Sequence, residues 1–369
     1  MYLSSINEKY HKRSELLTYH KSARVIDGLV ADDTYGCIKS LQNSQFVIIK
    51  PDAIAAGKST GILKFLIERG IRVIHSWPIF DFTEHEYEEL YRYNIDLDNP
   101  KCMVGSLWCL RKQFESDPCM GLIISTEDED NCVYDVTQNI KGHFNPYLAR
   151  SGTIRHDFHS ASMSLNLIHM SDDPISSYRE MRIFLSKDEI RSILRKKLNL
   201  ASNQAYQSGR FEQICTALGP NRTDGDFLSA LLRTIKKLAF KLEADAPVIV
   251  KNIFEIRVPS PSKSPRDRLQ ELHNNLSKLS ASSDPELRLA MEKRYVVRAA
   301  SEALILLSDV TTWNTQLIRS VMNLSASAGV QVSYWDRLLL ESNAFYSSHM
   351  EFLKLPEEVN STIILEELD

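Results

Sequence analysis

The chain has 369 residues, which at roughly 100–200 residues per domain implies two or three domains. Hydrophobic residues make up 43% and charged residues 25%, the balance of an ordinary globular protein with proper cores. The formal charge of −4 argues against a general polyanion binder, so no nucleic acid partner is expected, and no apolar run is long enough for a membrane span.

Residues 1–43 read as a helical arm, with Leu16, Leu17, Ala23, Val25 and Ile26 forming a weak apolar face among charges. The charged start around Glu8, Lys9 and Arg13 has no apolar run behind it and does not read as a secretory signal. Gln45 to Lys50 is a buried strand closed by Pro51. Thr60 to Gly70 carries a helical apolar face and ends on a glycine. Ile71 to Ile74 is a second strand. Thr83 opens a helix to Tyr93 with a capping-box pattern, Thr-Glu-His-Glu. Gly121 to Thr126 is a third strand, and the alternation from Ser162 to Ile168 predicts a fourth. Pro174 then sits at N1 of a helix running to about Leu185. This order fits an α+β sheet with helices on one face.

Beyond Ser186 the period changes. Lys187–Leu200, Gln204–Leu218, Asp226–Ala244 and Glu286–Leu307 all show helical spacing. The run from Val258 to Pro265 is a proline- and serine-rich loop. The expected domains are therefore an arm over 1–43, an α+β unit over 44–186 and a mainly helical unit over 187–369, with a hinge at 258–266. The six cysteines are scattered with no CxxC pair, which reads as reduced thiols in the cytoplasm.

Two motifs are decoys. Gly57-Lys58-Ser59-Thr60 after the first strand imitates the end of a P-loop. A P-loop needs a glycine five residues before the Gly-Lys pair, and that position is Asp52 beside Pro51. The second decoy is the group His156, Asp157, His159 and His169, which follows no ligand spacing.

A third constellation is more specific. Phe46-Val47-Ile48-Ile49-Lys50-Pro51-Asp52 is followed far downstream by Gly152-Thr153-Ile154-Arg155-His156-Asp157-Phe158. Asn166-Leu167-Ile168-His169-Met170-Ser171-Asp172 comes next, and then the last helix. In this order the segments resemble the nucleoside diphosphate kinase family, over about residues 45–186. The family pattern is a strand ending K-P-D, then G-T-I-R-x-D-F, then N-x-x-H-G-S-D. The resemblance implies a ferredoxin-like antiparallel sheet with helices, to which this chain adds an all-α C-terminal domain.

It also implies a phosphotransferase. His169 matches the histidine that takes a phosphoryl group from a nucleoside triphosphate and passes it to a nucleoside diphosphate or related acceptor. Histidine suits this task because imidazole is neutral and nucleophilic near neutral pH. Glu180 matches the carboxylate that orients the ring, and Ser171 the hydroxyl beside it. Lys50 matches the lysine on the terminal phosphate, Arg155 a phosphate arginine and Asn166 a sugar-contacting asparagine. Tyr93, counted back from Pro100, matches a tyrosine near the nucleophile. Asp172 matches the acid after the serine, an indirect partner for Mg²⁺. The family implies assembly as well, at least to a dimer.

The chain departs from the pattern in the nucleotide-binding positions. Gly142-His143-Phe144-Asn145-Pro146 aligns with G-x-T-N-P, so Phe144 replaces a phosphate-contacting threonine. Gln138 and Asn99 stand where phosphate arginines are found, and none of Lys101, Cys102 or Met103 supplies the base-stacking aromatic. Met170 replaces the glycine after the histidine, and one extra residue before Asn166 suggests a bulge. Arg150, Lys141 and Arg92 are the candidates for replacement charge. The alternative reading is a catalytically weak nucleotide sensor or scaffold whose helical region binds a protein partner.

Overall fold

A computed structural model describes residues 43–80, 82–91, 107–126, 132–197, 204–218, 222–263, 265–277, 295–308 and 312–349. The arm expected over residues 1–43 lies outside these residues apart from Asn43, as do Arg92, Tyr93, Asn99 and residues 101–103.

The α+β part is a four-stranded antiparallel sheet. Strand β1 (Gln45–Ile49) lies between β3 (Cys119–Thr126) and β4 (Ile168–Met170), and β2 (Ile71–Ile79) flanks β3 on the outer edge. This is the ferredoxin-like order with helices that the resemblance implies. Every residue of β1 and β3 is buried. Such strands read as continuous apolar runs because both faces are covered.

Helices indeed pack on both faces, not on one. Val47 and Ile49 join a core with α1 (Pro51–Ala55), α2 (Ser59–Ile67) and α5 (Val133–Lys141). Phe46 and Ile48 point the other way, into a core with α3 (Glu84–Tyr91), α4 (Leu107–Ser116), α7 (Pro174–Phe184) and α8 (Lys187–Lys197). The short helix α6 (Ile154–Asp157) follows α5.

Local chemistry sets the element ends. Gly57, at φ 67°, closes α1: Lys58 N donates to Ala53 O at 2.8 Å and Gly57 N to Ile54 O at 2.9 Å, the bond pair of a Schellman cap. The Gly-Lys-Ser-Thr run is thus a helix stop followed by a helix start. The capping box at Thr83 is made, with Thr83 N donating to Glu86 Oε2 at 2.9 Å. Strand β2 runs on past Ile74 to Ile79 through an irregularity between Val73 and His75, and it tolerates Pro78 because it is an edge strand.

The fourth strand differs from expectation. It spans only Ile168–Met170, and Ser162–Leu167 is irregular. Side chains and local turns satisfy this backbone instead of a ladder. Ala161 N and Ser162 N both donate to Leu165 O, Lys50 Nζ donates to Ser164 O, and Leu167 N donates to Asp52 Oδ2 at 3.0 Å. The extra residue is taken up in this turn, with Leu167 at φ 74°, and not as a bulge in β4.

Helix α9 (Gln204–Ala217) packs Phe211 and Cys215 against Ile71 and Val73 of β2. A separate helical core starts at Phe227. It gathers α10 (Phe227–Phe240), α11 (Pro247–Glu255), α12 (Pro265–Ser277), α13 (Tyr295–Ser308), α14 (Thr315–Ser327) and α15 (Tyr334–His349) around Leu231, Leu238, Leu272, Leu307 and Val321. Asp226 caps α10 by accepting from Leu228 N. No helix among the described residues is long and apolar enough to cross a membrane.

Candidate active site

His169 stands at the centre of β4, paired with Ile48 of the central strand. Its side chain keeps 17% of its surface exposed. The Nε2 atom lies 2.7 Å from Glu180 Oε2. Nδ1 has no hydrogen-bond partner among the described residues. A carboxylate on Nε2 fixes the Nε2–H tautomer and leaves the Nδ1 lone pair free.

Glu180 is itself held from three sides. It is buried on α7, eleven residues after the histidine, where the final helix turns it back under β4. Ser171 Oγ donates to the same Oε2 at 2.6 Å, and Arg179 donates to Oε1 at 3.0 Å. Arg179 also donates to Glu89 O, tying α7 to α3. The Tyr91 ring stands edge-on to the imidazole, with centroids 6.0 Å apart. Burial, helped by Tyr87 and Glu180, pushes its phenol well above the usual range.

The cations lie close by. Lys50 ends β1, is 1% exposed, and donates to Ser164 O and, at 2.9 Å, to Asn166 Oδ1. An ammonium has three donors, so one remains. Burial pulls its pKa down to about 8, against Asp52, which favours the charged form. Asp52 is also buried; it accepts from Gln113 Nε2 at 2.5 Å, and burial raises its pKa.

Arg155, 7% exposed, donates to Gly142 O at 3.0 Å and to Ile168 O at 3.2 Å. Burial lowers its pKa to about 10. Gly142 must be glycine here: it sits at φ 86°, and a Cβ would meet Thr153 Oγ1 at 2.6 Å. Lys141 reaches the end of β4, donating to Met170 O at 2.9 Å and to Asp172 at 3.4 Å. Of the two candidate replacement cations among the described residues, Lys141 is the one bonded to the end of β4, and Arg150 is exposed.

The remaining candidates are placed less favourably for phosphate. Phe144 is 47% exposed and stacks on His143, with centroids 4.4 Å apart. Gln138 is exposed on α5. Asp172 is exposed next to Lys141. Asn166 is 7% exposed because α15 packs over its loop. Ser162 Oγ meets Ser342 Oγ at 2.5 Å, Ser164 Oγ bonds Tyr346 Oη, and Leu165 is buried with Trp335, Leu338 and Leu339. His156 bonds Asp157 at 2.8 Å, away from His169.

The sequence patterns assign no role to Tyr91, Arg179 or Gln113, and none to Asp52 beyond its place in the Lys-Pro-Asp segment. Tyr91 is two residues before Tyr93, the tyrosine counted back from Pro100, which lies outside the described residues; α3 brings the Tyr91 ring against the imidazole. Arg179 was adjacent to Glu180, but a helix-surface arginine carries no signal of its target.

A family model described as nucleoside diphosphate kinase matches residues 43–190. A nucleoside diphosphate kinase of Methanobrevibacter smithii is 30% identical over 145 residues, 39% of this chain and 88% of that protein. One from Halorhodospira halophila is 32% identical over 143 residues, 39% of this chain and 92% of that protein. A solved NDP kinase from Pyrobaculum aerophilum, 22% identical, aligns with 40% of this chain and 98% of its own, with a TM-score of 0.33. Through residues 43–190 the chain belongs to the nucleoside diphosphate kinase family.

Proposed function

We propose that the protein is a phosphotransferase that works through a phosphohistidine at His169, moving the terminal phosphoryl group of a nucleoside triphosphate to a nucleoside diphosphate or related acceptor. The observation that carries this is the buttressed ring: Glu180 on Nε2, Nδ1 without a hydrogen-bond partner among the described residues, and a side chain that is 17% exposed.

In the first half-reaction the Nδ1 lone pair attacks the terminal phosphorus. A P–N bond forms, the bridging P–O bond breaks, and the nucleoside diphosphate leaves with that electron pair. The imidazole becomes cationic, and the Glu180 carboxylate, held in place by Arg179 and Ser171, stabilises it. In the second half an acceptor phosphate oxygen attacks the phosphohistidine and the neutral ring returns. The spare Lys50 donor and the guanidinium of Arg155 are the cations at hand for the equatorial oxygens. Lys141 adds a third charge beside β4.

Among the described residues no group of three His, Cys, Asp or Glu side chains is arranged to cage a metal. Asp172, exposed beside Lys141, is the carboxylate that would help hold a Mg²⁺ carried on the nucleotide phosphates. When bound, the ion would neutralise phosphate charge. A homo-oligomer, at least a dimer, and a cytoplasmic setting belong to the same reading.

The test is exchange: mix a labelled triphosphate of one base with an unlabelled diphosphate of another and follow label into the second triphosphate. Transfer that vanishes in His169→Gln supports the proposal, and absence of transfer across several base pairs opposes it. One observation favours a second reading, a sensing scaffold without transfer: Lys50 and Asn166 are buried, and α15 bonds the loop that carries Asn166 through Ser164 and Tyr346. That reading expects nucleotide to raise Tm with no exchange.

A further inference from the structure

Lys50 is held at the end of β1 by two acceptors on the loop from Ser162 to Leu167, Ser164 O and Asn166 Oδ1. Its backbone N donates to Leu167 O at 2.9 Å, two residues before His169. The loop is irregular, so its shape depends on what packs against it. That neighbour is α15. Ser342 Oγ lies 2.5 Å from Ser162 Oγ, and Tyr346 Oη bonds Ser164 Oγ. Leu165 is fully buried with Trp335, Leu338 and Leu339.

The same helix grips a second wall of the Lys50 site. Asp52, which favours the charged ammonium, accepts from Gln113 of α4. Helix α4 is fastened to α15 at the neighbouring residue: Lys112 Nζ pairs with Glu341 Oε2 at 3.1 Å, and Lys112 O accepts from Tyr334 Oη at 2.9 Å. Cys109 of α4 is hydrogen-bonded to both Ser342 and Ser164. Two paths therefore run from α15 to one ammonium, through Ser164 O and through Gln113 and Asp52. Both Ser342 and Tyr346 lie beyond residues 43–190, the stretch that matches the family.

Building on the transfer reading above, we propose that Ser342 and Tyr346 of α15 are positioning residues for phosphoryl transfer: through Ser162 and Ser164 they fix the oxygens that aim the Lys50 ammonium. The helical region then acts on the site through Lys50. Removing the Tyr346 hydroxyl takes that partner from Ser164 Oγ and slackens the loop. The ammonium is then aimed less well and water reaches it. Poorer aim weakens a contact of the transition state, which lowers kcat with little change in KM. Water relieves the burial that lowers the Lys50 pKa to about 8, so its titration moves up toward the ordinary 10.5. The titratable groups that act on Lys50 come from α1 (Asp52), α6 (Arg155), α4 (Cys109) and β3 (Cys119), and these variants leave all four in place.

Exchange between a nucleoside triphosphate and a diphosphate, followed against pH in full-length wild type, Tyr346→Phe and Ser342→Ala, tests this. Each variant should lose about two- to tenfold in kcat, the worth of one buried hydrogen bond, with KM nearly unchanged and the alkaline limb moved upward. Circular dichroism confirms each fold, and Ser342→Ala carries the test if Tyr346→Phe does not fold. Leu231→Ala loosens the helical core elsewhere and should leave the limb in place; a limb that moves there too would reduce α15 to general stability and overturn the proposal. Unchanged kcat and limb in both α15 variants would overturn it as well, and so would faster transfer, which makes α15 a restraint. Competitive acetylation of Lys50 against pH, read by mass spectrometry, needs no transfer and separates the two ideas. A Lys50 midpoint that rises in the variants, in a protein that never labels His169, sinks transfer and leaves α15 holding Lys50. A midpoint and kcat that both match wild type, in a protein that transfers, sink the positioning role and leave transfer standing.

Discussion

Glu180→Gln is the most exacting single change. The carboxylate accepts on both oxygens: His169 Nε2 at 2.7 Å and Ser171 Oγ at 2.6 Å share one, and Arg179 at 3.0 Å takes the other. A glutamine has the same shape but only one accepting oxygen. With its oxygen toward His169, its NH₂ meets the Arg179 guanidinium. With the amide turned, the NH₂ meets the ring N–H and the serine hydroxyl. Either way a buried donor faces a donor, and the negative charge that steadies the imidazolium is gone. Loss of a hydrogen bond to a charged group is worth about 1.5–3 kcal/mol, which is roughly 10- to 150-fold in rate. Single-turnover quench-flow with γ-labelled ATP should show His169 phosphorylation slowed by that factor. A rate within about twofold of wild type would refute the idea that the carboxylate prepares the ring.

Three further outcomes follow from the same structure. Burial sets Lys50 at about 8, below the ordinary 10.5, so between those values the unfolded chain holds the extra proton and this residue's contribution to stability rises with pH. Phosphoryl transfer should run the opposite way, falling above pH about 8 as the cation is lost, and Lys50→Arg should erase that alkaline limb; an unchanged limb would assign it elsewhere. Phe144→Thr restores a hydroxyl at an exposed turn and should tighten ADP binding by about 0.5–1.5 kcal/mol in calorimetry, with no change counting against the alignment. Leu231→Ala removes a fully buried side chain from the helical core and should cost about 2–5 kcal/mol in urea unfolding.

The sheet was legible where burial on both faces leaves an unbroken apolar run, as in β1. The fourth strand was not. Ser162 and Ser164 alternate with Met163 and Leu165 like a half-buried strand, but the serines face inward to bond Ser342 and Tyr346 of a helix some 180 residues away. Short-range pattern cannot report a partner at that separation. Helix α9 was readable as a helix, yet nothing in its spacing says that Phe211 packs on β2. In the site, His169, Glu180 and Ser171 meet as their motif spacing implies, because a strand and the helix after it form a rigid local unit. Lys50 and Asn166 are read as phosphate and sugar contacts, and the two are found buried and bonded to each other.

The central claim is a covalent one, and peptide mapping by mass spectrometry reads it most directly. Full-length protein incubated with ATP and Mg²⁺, then digested under alkaline conditions that preserve phosphohistidine, should yield the peptide spanning His169 carrying one phosphoryl group, removed on adding a nucleoside diphosphate. An unmodified His169 peptide under those conditions, or a phosphoryl group on another residue that persists in His169→Gln, would contradict it.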